Sequence, residues 1–108
     1  MALSYFRSSA EQGYAKAECS LGFCYELGHG VPRDLKTAAS YFQASADKGI
    51  AEAQYNAGNC YLQGKGVPRD TKTAVQYFQA AADQGYAPAE YNLGACYELG
   101  DGVTQDKQ

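Results

Sequence analysis

Ala57-Gly58-Asn59-Cys60-Tyr61-Leu62-Gln63-Gly64-Lys65-Gly66-Val67 is one of three copies of the same stretch in this chain. Leu21-Gly22-Phe23-Cys24-Tyr25-Glu26-Leu27-Gly28-His29-Gly30-Val31 precedes it by 36 residues, and Leu93-Gly94-Ala95-Cys96-Tyr97-Glu98-Leu99-Gly100-Asp101-Gly102-Val103 follows it by 36, without a gap. A fixed period of about 20–50 residues marks a stacked array, in which each unit buries its apolar face only against its neighbours. The repeat therefore decides the fold before any single helix is assigned.

Working outward from that stretch, Ala51, Ala53, Ala57, Gly58 and Tyr61 set a helical apolar pattern, with copies at about 15–27 and 87–99. These are the A helices. Pro88 sits in the first turn of the last copy, where its missing N–H costs nothing. A second pattern, the B helices, spans about 1–12, 34–48 and 70–84. There Ala2, Tyr5, Phe6 and Ala10 recur as Ala38, Tyr41, Phe42 and Ala46, and again as Ala74, Tyr77, Phe78 and Ala82. Spacing of i, i+3, i+4 and i+8 draws one apolar stripe along a helix. Gly13, Gly49 and Gly85 follow the B stripes as left-handed stops, and Gly28, Gly64 and Gly100 end the A helices. After each Gly-x-Gly-Val turn, Pro32 and Pro68 break the chain, and Asp34 and Asp70 stand ready to cap the next helix. The prediction is an all-α solenoid of antiparallel helix pairs: three 36-residue repeats, six helices, one array over 1–108 with units of about 1–36, 37–72 and 73–108.

A chain of 108 residues with a net charge of −3 suits one small domain. No Lys/Arg cluster offers the basic stripe that nucleic acid requires. No apolar run approaches the roughly 20 residues that cross a bilayer, and the start lacks the basic-then-apolar pattern of a signal peptide. The expectation is thus no nucleic acid, no membrane and a cytoplasmic protein. Both ends fall in the same phase of the repeat and neither looks polar enough to cap a stack, which suggests a piece of a longer or engineered array.

Few residue groups suggest chemistry. Cys24, Cys60 and Cys96 are one repeat position, expected about 10 Å apart as helix neighbours, too far for a disulfide or a shared zinc. Cys19 and Cys24 fall on different helix faces. All four read as small buried apolar residues in a reducing compartment, with no metal and no cofactor. His29 occupies a turn position that elsewhere holds Lys65 and Asp101, so it reads as a solvated loop tip. Gly28-x-Gly30 follows a helix and not a strand, which speaks against a phosphate loop. Ser45-x-x-Lys48 spells a nucleophile motif of penicillin-recognising enzymes, yet its copies are Ser9…Gln12 and Ala81…Gln84, and no partner motif accompanies it.

Ala-x-Ala-x-Tyr-Asn-x-Gly-x-x-Tyr-x-x-Gly-x-Gly-Val-x-x-Asp, from Ala51 to Asp70, resembles the Sel-1-like repeat, a relative of the tetratricopeptide repeat. The match runs over nearly the whole chain. It departs at Ala57 where Leu is usual, at Cys19-Ser20 for Tyr-Asn, and at Thr104-Gln105 for Pro-Arg. The resemblance implies a right-handed superhelix that serves as an adaptor for other proteins. Secreted relatives pair a second Cys within each hairpin, and that Cys is missing here. Some relatives have been linked to penicillin binding, which keeps an enzyme as a remote third reading behind an adaptor without catalysis.

On a helical wheel at about 100° per residue, Ala53, Ala57, Gly58, Cys60 and Tyr61 share one half of the A helix. The other half holds Glu52, Tyr55, Asn56, Asn59, Leu62 and Gln63, facing the inner surface as in tetratricopeptide relatives. Matching positions are Lys16, Cys19, Ser20, Phe23, Glu26 and Leu27 in the first copy and Pro88, Tyr91, Asn92, Ala95, Glu98 and Leu99 in the last. Amide and aromatic side chains suit an extended peptide. The expected partner-binding residues are therefore Phe23, Glu26, Glu52, Tyr55, Asn56, Asn59, Leu62, Tyr91, Asn92 and Glu98, with a protein or peptide as ligand. For Tyr55 and Tyr91, packing against the next repeat is the competing reading; Tyr61 and Tyr97 read as core. The alternative function is a building block that stacks end to end through the A face of one chain and the B face of another.

Overall fold

The computed structural model describes residues 2–99, with side chains from 13 to 97. These residues form five helices: α1 (Ala2–Leu27), α2 (Leu35–Asp47), α3 (Ala51–Gln63), α4 (Thr71–Asp83) and α5 (Ala87–Leu99). No strand occurs among them. The substantial helix contacts run from each helix to the next along the chain, which is the quasi-one-dimensional order of a solenoid. Within that order each A helix packs most extensively on the B helix that follows it, α1 on α2 and α3 on α4.

The sequence expectation of six helices is corrected at one place. Gly13 does not stop the first B stripe, and residues 2–27 run as a single helix. Gly49 and Gly85 do stop theirs, at φ +91° and +82°. At those two turns the chain folds back because each B helix is held between two A helices. Among the described residues no A helix stands before 2–12 to hold it, so continuing the hydrogen-bond ladder outweighs the roughly 1 kcal/mol that a mid-helix Gly costs.

Helix starts follow the local chemistry. Asp34 accepts the Thr37 backbone N–H at 3.2 Å and the Thr37 hydroxyl at 2.9 Å. Asp70 does the same with Thr73. These bonds hold both carboxyls below the ordinary value of 3.8. The arginine between Pro and Asp closes the preceding helix. Arg33 Nε donates to the Glu26 carbonyl and Arg69 Nε to the Leu62 carbonyl, each at 3.0 Å. Pro-Arg-Asp thus ends one helix, satisfies its last turn and starts the next.

The core is built from small residues around one phenylalanine per pair of helices. Phe42 and Phe78 are fully buried, which stabilises each by about 1.5–3 kcal/mol. Ala38, Ala46, Ala53, Ala57, Cys19 and Cys60 surround the first ring; Ala74, Ala81, Ala89 and Cys96 surround the second. Gly22 and Gly58 make room for the rings. A methyl group on either would sit 2.7 Å from Cε1 of the phenylalanine above it. Gly66 is needed for a different reason: it combines φ +77° with a close approach to the backbone of Leu35 that leaves no space for a side chain.

Candidate protein-interaction surface

The A helices present a pocket of about 590 Å³ where α1 meets the start of α3. Lys16, Cys19, Ser20 and Phe23 line it from α1, with Ile50 from the turn and Glu52 from α3. Lys16, Ser20 and Glu52 are exposed, while Phe23 and Ile50 are half-buried. Phe23 is fixed by an edge-on contact with Phe42, ring centres 5.2 Å apart. Cys19 forms the buried floor. Burial, the Glu52 carboxylate nearby and a hydrogen bond from the Asn56 side chain act on its thiol, and the balance pushes it up to about 11. It is a neutral, unreactive floor at physiological pH.

Of the other inner-surface residues of the sequence reading, Tyr55, Leu62, Asn56, Asn59, Asn92 and Glu26 are engaged by the scaffold. Tyr55 packs on Phe78 and Tyr86, with ring centres 6.0 and 5.4 Å away, so the competing packing role holds for it. Leu62 packs against the same cluster. Asn56 donates to the Glu52 carbonyl at 2.9 Å, and Asn92 donates to Asn59 at 3.2 Å, tying α5 to α3. Glu26 pairs with Lys65 at 2.6 Å, and Glu52 is the carboxylate that lines the pocket. Tyr91 is 79% exposed. The side chain of Glu98 lies outside the described residues. Ile50 was not anticipated; the signal for it is an apolar residue in an otherwise polar turn.

Tyr61 stacks on Tyr77 at 5.9 Å as a core residue should, but Tyr97 is 45% exposed. The expectation for Tyr97 is corrected because no described helix follows α5 to supply the stacking ring. Ser45 Oγ is fully buried and donates to the Ala15 carbonyl at 2.6 Å, while Lys48 pairs with Glu18 at 2.7 Å and lies 4.5 Å over the Tyr14 ring. The Ser-x-x-Lys pair is thus engaged in holding α2 to α1. The Gly-x-Gly turns have the positive φ expected of them, +74° and +78° at Gly28 and Gly30. His29 is exposed at the turn tip. Cys19, Cys24 and Cys60 are free thiols. Among the described residues no cluster of His, Cys, Asp and Glu could hold a metal, and no helix is long and apolar enough to cross a membrane.

The helix order and inter-repeat packing define an α/α solenoid. The Sel1 repeat family model matches residues 1–14, 15–50, 51–86 and 87–108, and the chain belongs to that family. A protective antigen of uropathogenic Escherichia coli strains, described as displaying an SLR fold, superposes with a TM-score of 0.85 at 43% identity. That match covers 97% of this chain and 22% of the antigen. A Sel1 repeat protein from Oxalobacter formigenes gives a TM-score of 0.85 at 28% identity, covering 97% of this chain and 43% of that one. Among curated proteins, DAP3-binding cell death enhancer 1 of Rattus norvegicus and of Mus musculus is each 51% identical over 37 residues. The stretch is 34% of this chain and only 7% of those relatives' length. Repeats of this family are generally protein-interaction modules.

Proposed function

We propose that this chain is a single array that binds an extended segment of a partner protein on the concave, A-helix face, in the pocket between α1 and α3. The observation that carries this reading is the composition of that pocket. The Phe23 face takes an apolar side chain, the Ser20 hydroxyl serves the backbone of the segment, and Lys16 and Glu52 fix its register by charge. The name of the rodent relatives records binding to a protein, which supports an adaptor reading over a catalytic one. Ser45 and Lys48, spent on holding helices together, add to the case against catalysis. The free, high-pKa thiols of Cys19 and Cys60 suit a reducing compartment, and we assign the chain to the cytoplasm on that basis.

The test uses a peptide selected from a randomised display library against the wild-type chain. Phe23→Ala and Glu52→Lys should each weaken it at least tenfold, and Gln76→Lys, at an exposed position of α4, should leave it unchanged. Equal affinity for the wild type and both pocket variants would overturn the assignment.

A further inference from the structure

Among the described residues, α5 lacks the kind of contact on which the fold depends most, an A helix covered by the B helix that follows it. Gly22 of α1 is covered by Phe42, and Gly58 of α3 by Phe78, whereas a methyl group on Gly94 of α5 would meet nothing within 4 Å. Tyr25 stacks on Tyr41 at 5.7 Å and Tyr61 on Tyr77 at 5.9 Å, whereas Tyr97 is 45% exposed. An open groove of about 540 Å³ lined by Glu90, Tyr91, Gly94 and Ala95 marks the uncovered face.

The same chain carries a segment with the matching repeat pattern. Residues 2–12 are helical and belong in sequence to the B series, yet no described A helix precedes them. Phe6 has the phase of Phe42 and Phe78, and Tyr5 that of Tyr41 and Tyr77. Tyr14, 62% exposed, has the phase of Tyr86, whose ring lies 5.4 Å from Tyr55; the counterpart of Tyr55 is the 79% exposed Tyr91. A polar pair completes the set. Lys48 reaches Glu18 and Gln84 reaches Gln54, and the third members of those series are Gln12 and Glu90.

We infer that the α5 face binds residues 2–14 of a second copy of this chain, head to tail. Phe6 then seats on Gly94, Tyr5 stacks on Tyr97, and Tyr14 meets Tyr91. Gly13 takes the left-handed conformation of Gly49 and Gly85, and the second copy continues the solenoid. The contact is heterologous, so it repeats unless geometry closes it into a ring. It uses a different surface from the concave pocket and does not depend on it.

Light-scattering mass across a concentration series tests this. The wild type should at least double from 11.6 kDa as concentration rises into the millimolar range. Gly94→Leu, which blocks the seat, and Phe6→Glu, which removes the occupant, should each stay at the monomer mass with helical circular dichroism retained. Tyr91→Arg, at a position already exposed to water, should do the same. An equimolar mixture of Gly94→Leu and Phe6→Glu retains one intact head and one intact tail and should form a dimer that neither forms alone. A wild type that stays monomeric would overturn the inference. So would oligomers that survive Gly94→Leu, or blocked variants that fail to complement each other.

Discussion

Replacing Gly58 with alanine tests the packing logic at its tightest point. The new Cβ would lie 2.7 and 2.8 Å from Cε1 and Cδ1 of Phe78 and 3.2 Å from the Ala74 carbonyl oxygen. Carbon atoms in good contact stand about 3.5–4.0 Å apart, so the ring must retreat by about 1 Å. It has little room to do so, being fully buried and backed by Tyr55. Overpacking of this kind costs about 1–3 kcal/mol. Against it stands the helical preference for Ala over Gly, about 1 kcal/mol. Gly94→Ala has the same propensity gain with nothing within 4 Å to oppose it. Gly94→Ala should therefore stabilise by up to about 1 kcal/mol, while Gly58→Ala falls about 1–3 kcal/mol below it. Urea unfolding followed by helical circular dichroism measures both, at low protein concentration so that association at α5 does not contribute. In a domain of this size each kcal/mol also moves Tm by about 4–8 °C. Trimming the ring with Phe78→Leu should recover part of the loss, because the two sites are coupled. If Gly58→Ala were as stable as Gly94→Ala, the ring would not be seated on that glycine and the packing argument would fail.

Other outcomes follow from the same contacts. Gly30→Ala and Gly66→Ala share the strain of a positive φ, about 1–2 kcal/mol. Only Gly66 adjoins the Leu35 backbone, so its variant should be the less stable of the two in the same unfolding assay. Asp34 and Asp70 titrate below their unfolded value, so their capping contribution is complete above about 3.8 and is lost as pH falls through the lowered folded value. An acid titration should show this fall, and Asp34→Asn/Asp70→Asn should flatten it. The Cys19 and Cys60 thiols are pushed up to about 11, chiefly by burial, so iodoacetamide at neutral pH should modify them far more slowly in the folded chain than in urea. Their raised values also mean a stability contribution that is intact below 9.0 and declines as pH rises toward about 11.

The period of 36 residues carried most of the fold, because stacking forces equivalent residues into equivalent contacts. Gly58, Phe78 and Tyr61 could be placed from one copy once the others were seen. Position within the stack is what the repeat conceals. Tyr97 and Tyr91 look like Tyr61 and Tyr55 in sequence, yet they are exposed, because no described helix follows α5 to pack on them. Gly13 looks like Gly49, yet it stays helical because nothing described holds the preceding segment folded back. The inner surface was legible as a face, but not as a site. The helical wheel found Phe23 and Glu52 without showing that Asn59, Asn92 and Glu26 are committed to cross-repeat bonds, since those partners lie 33 to 39 residues away.

The most direct test of the interaction reading is to map where a bound segment lies. An isotope-labelled chain titrated with the library-selected peptide reports this through its amide resonances. The account predicts that the largest shifts fall at Ser20, Phe23, Ile50 and Glu52. Shifts concentrated on the B face, at Gln76 and Ala80, would contradict it.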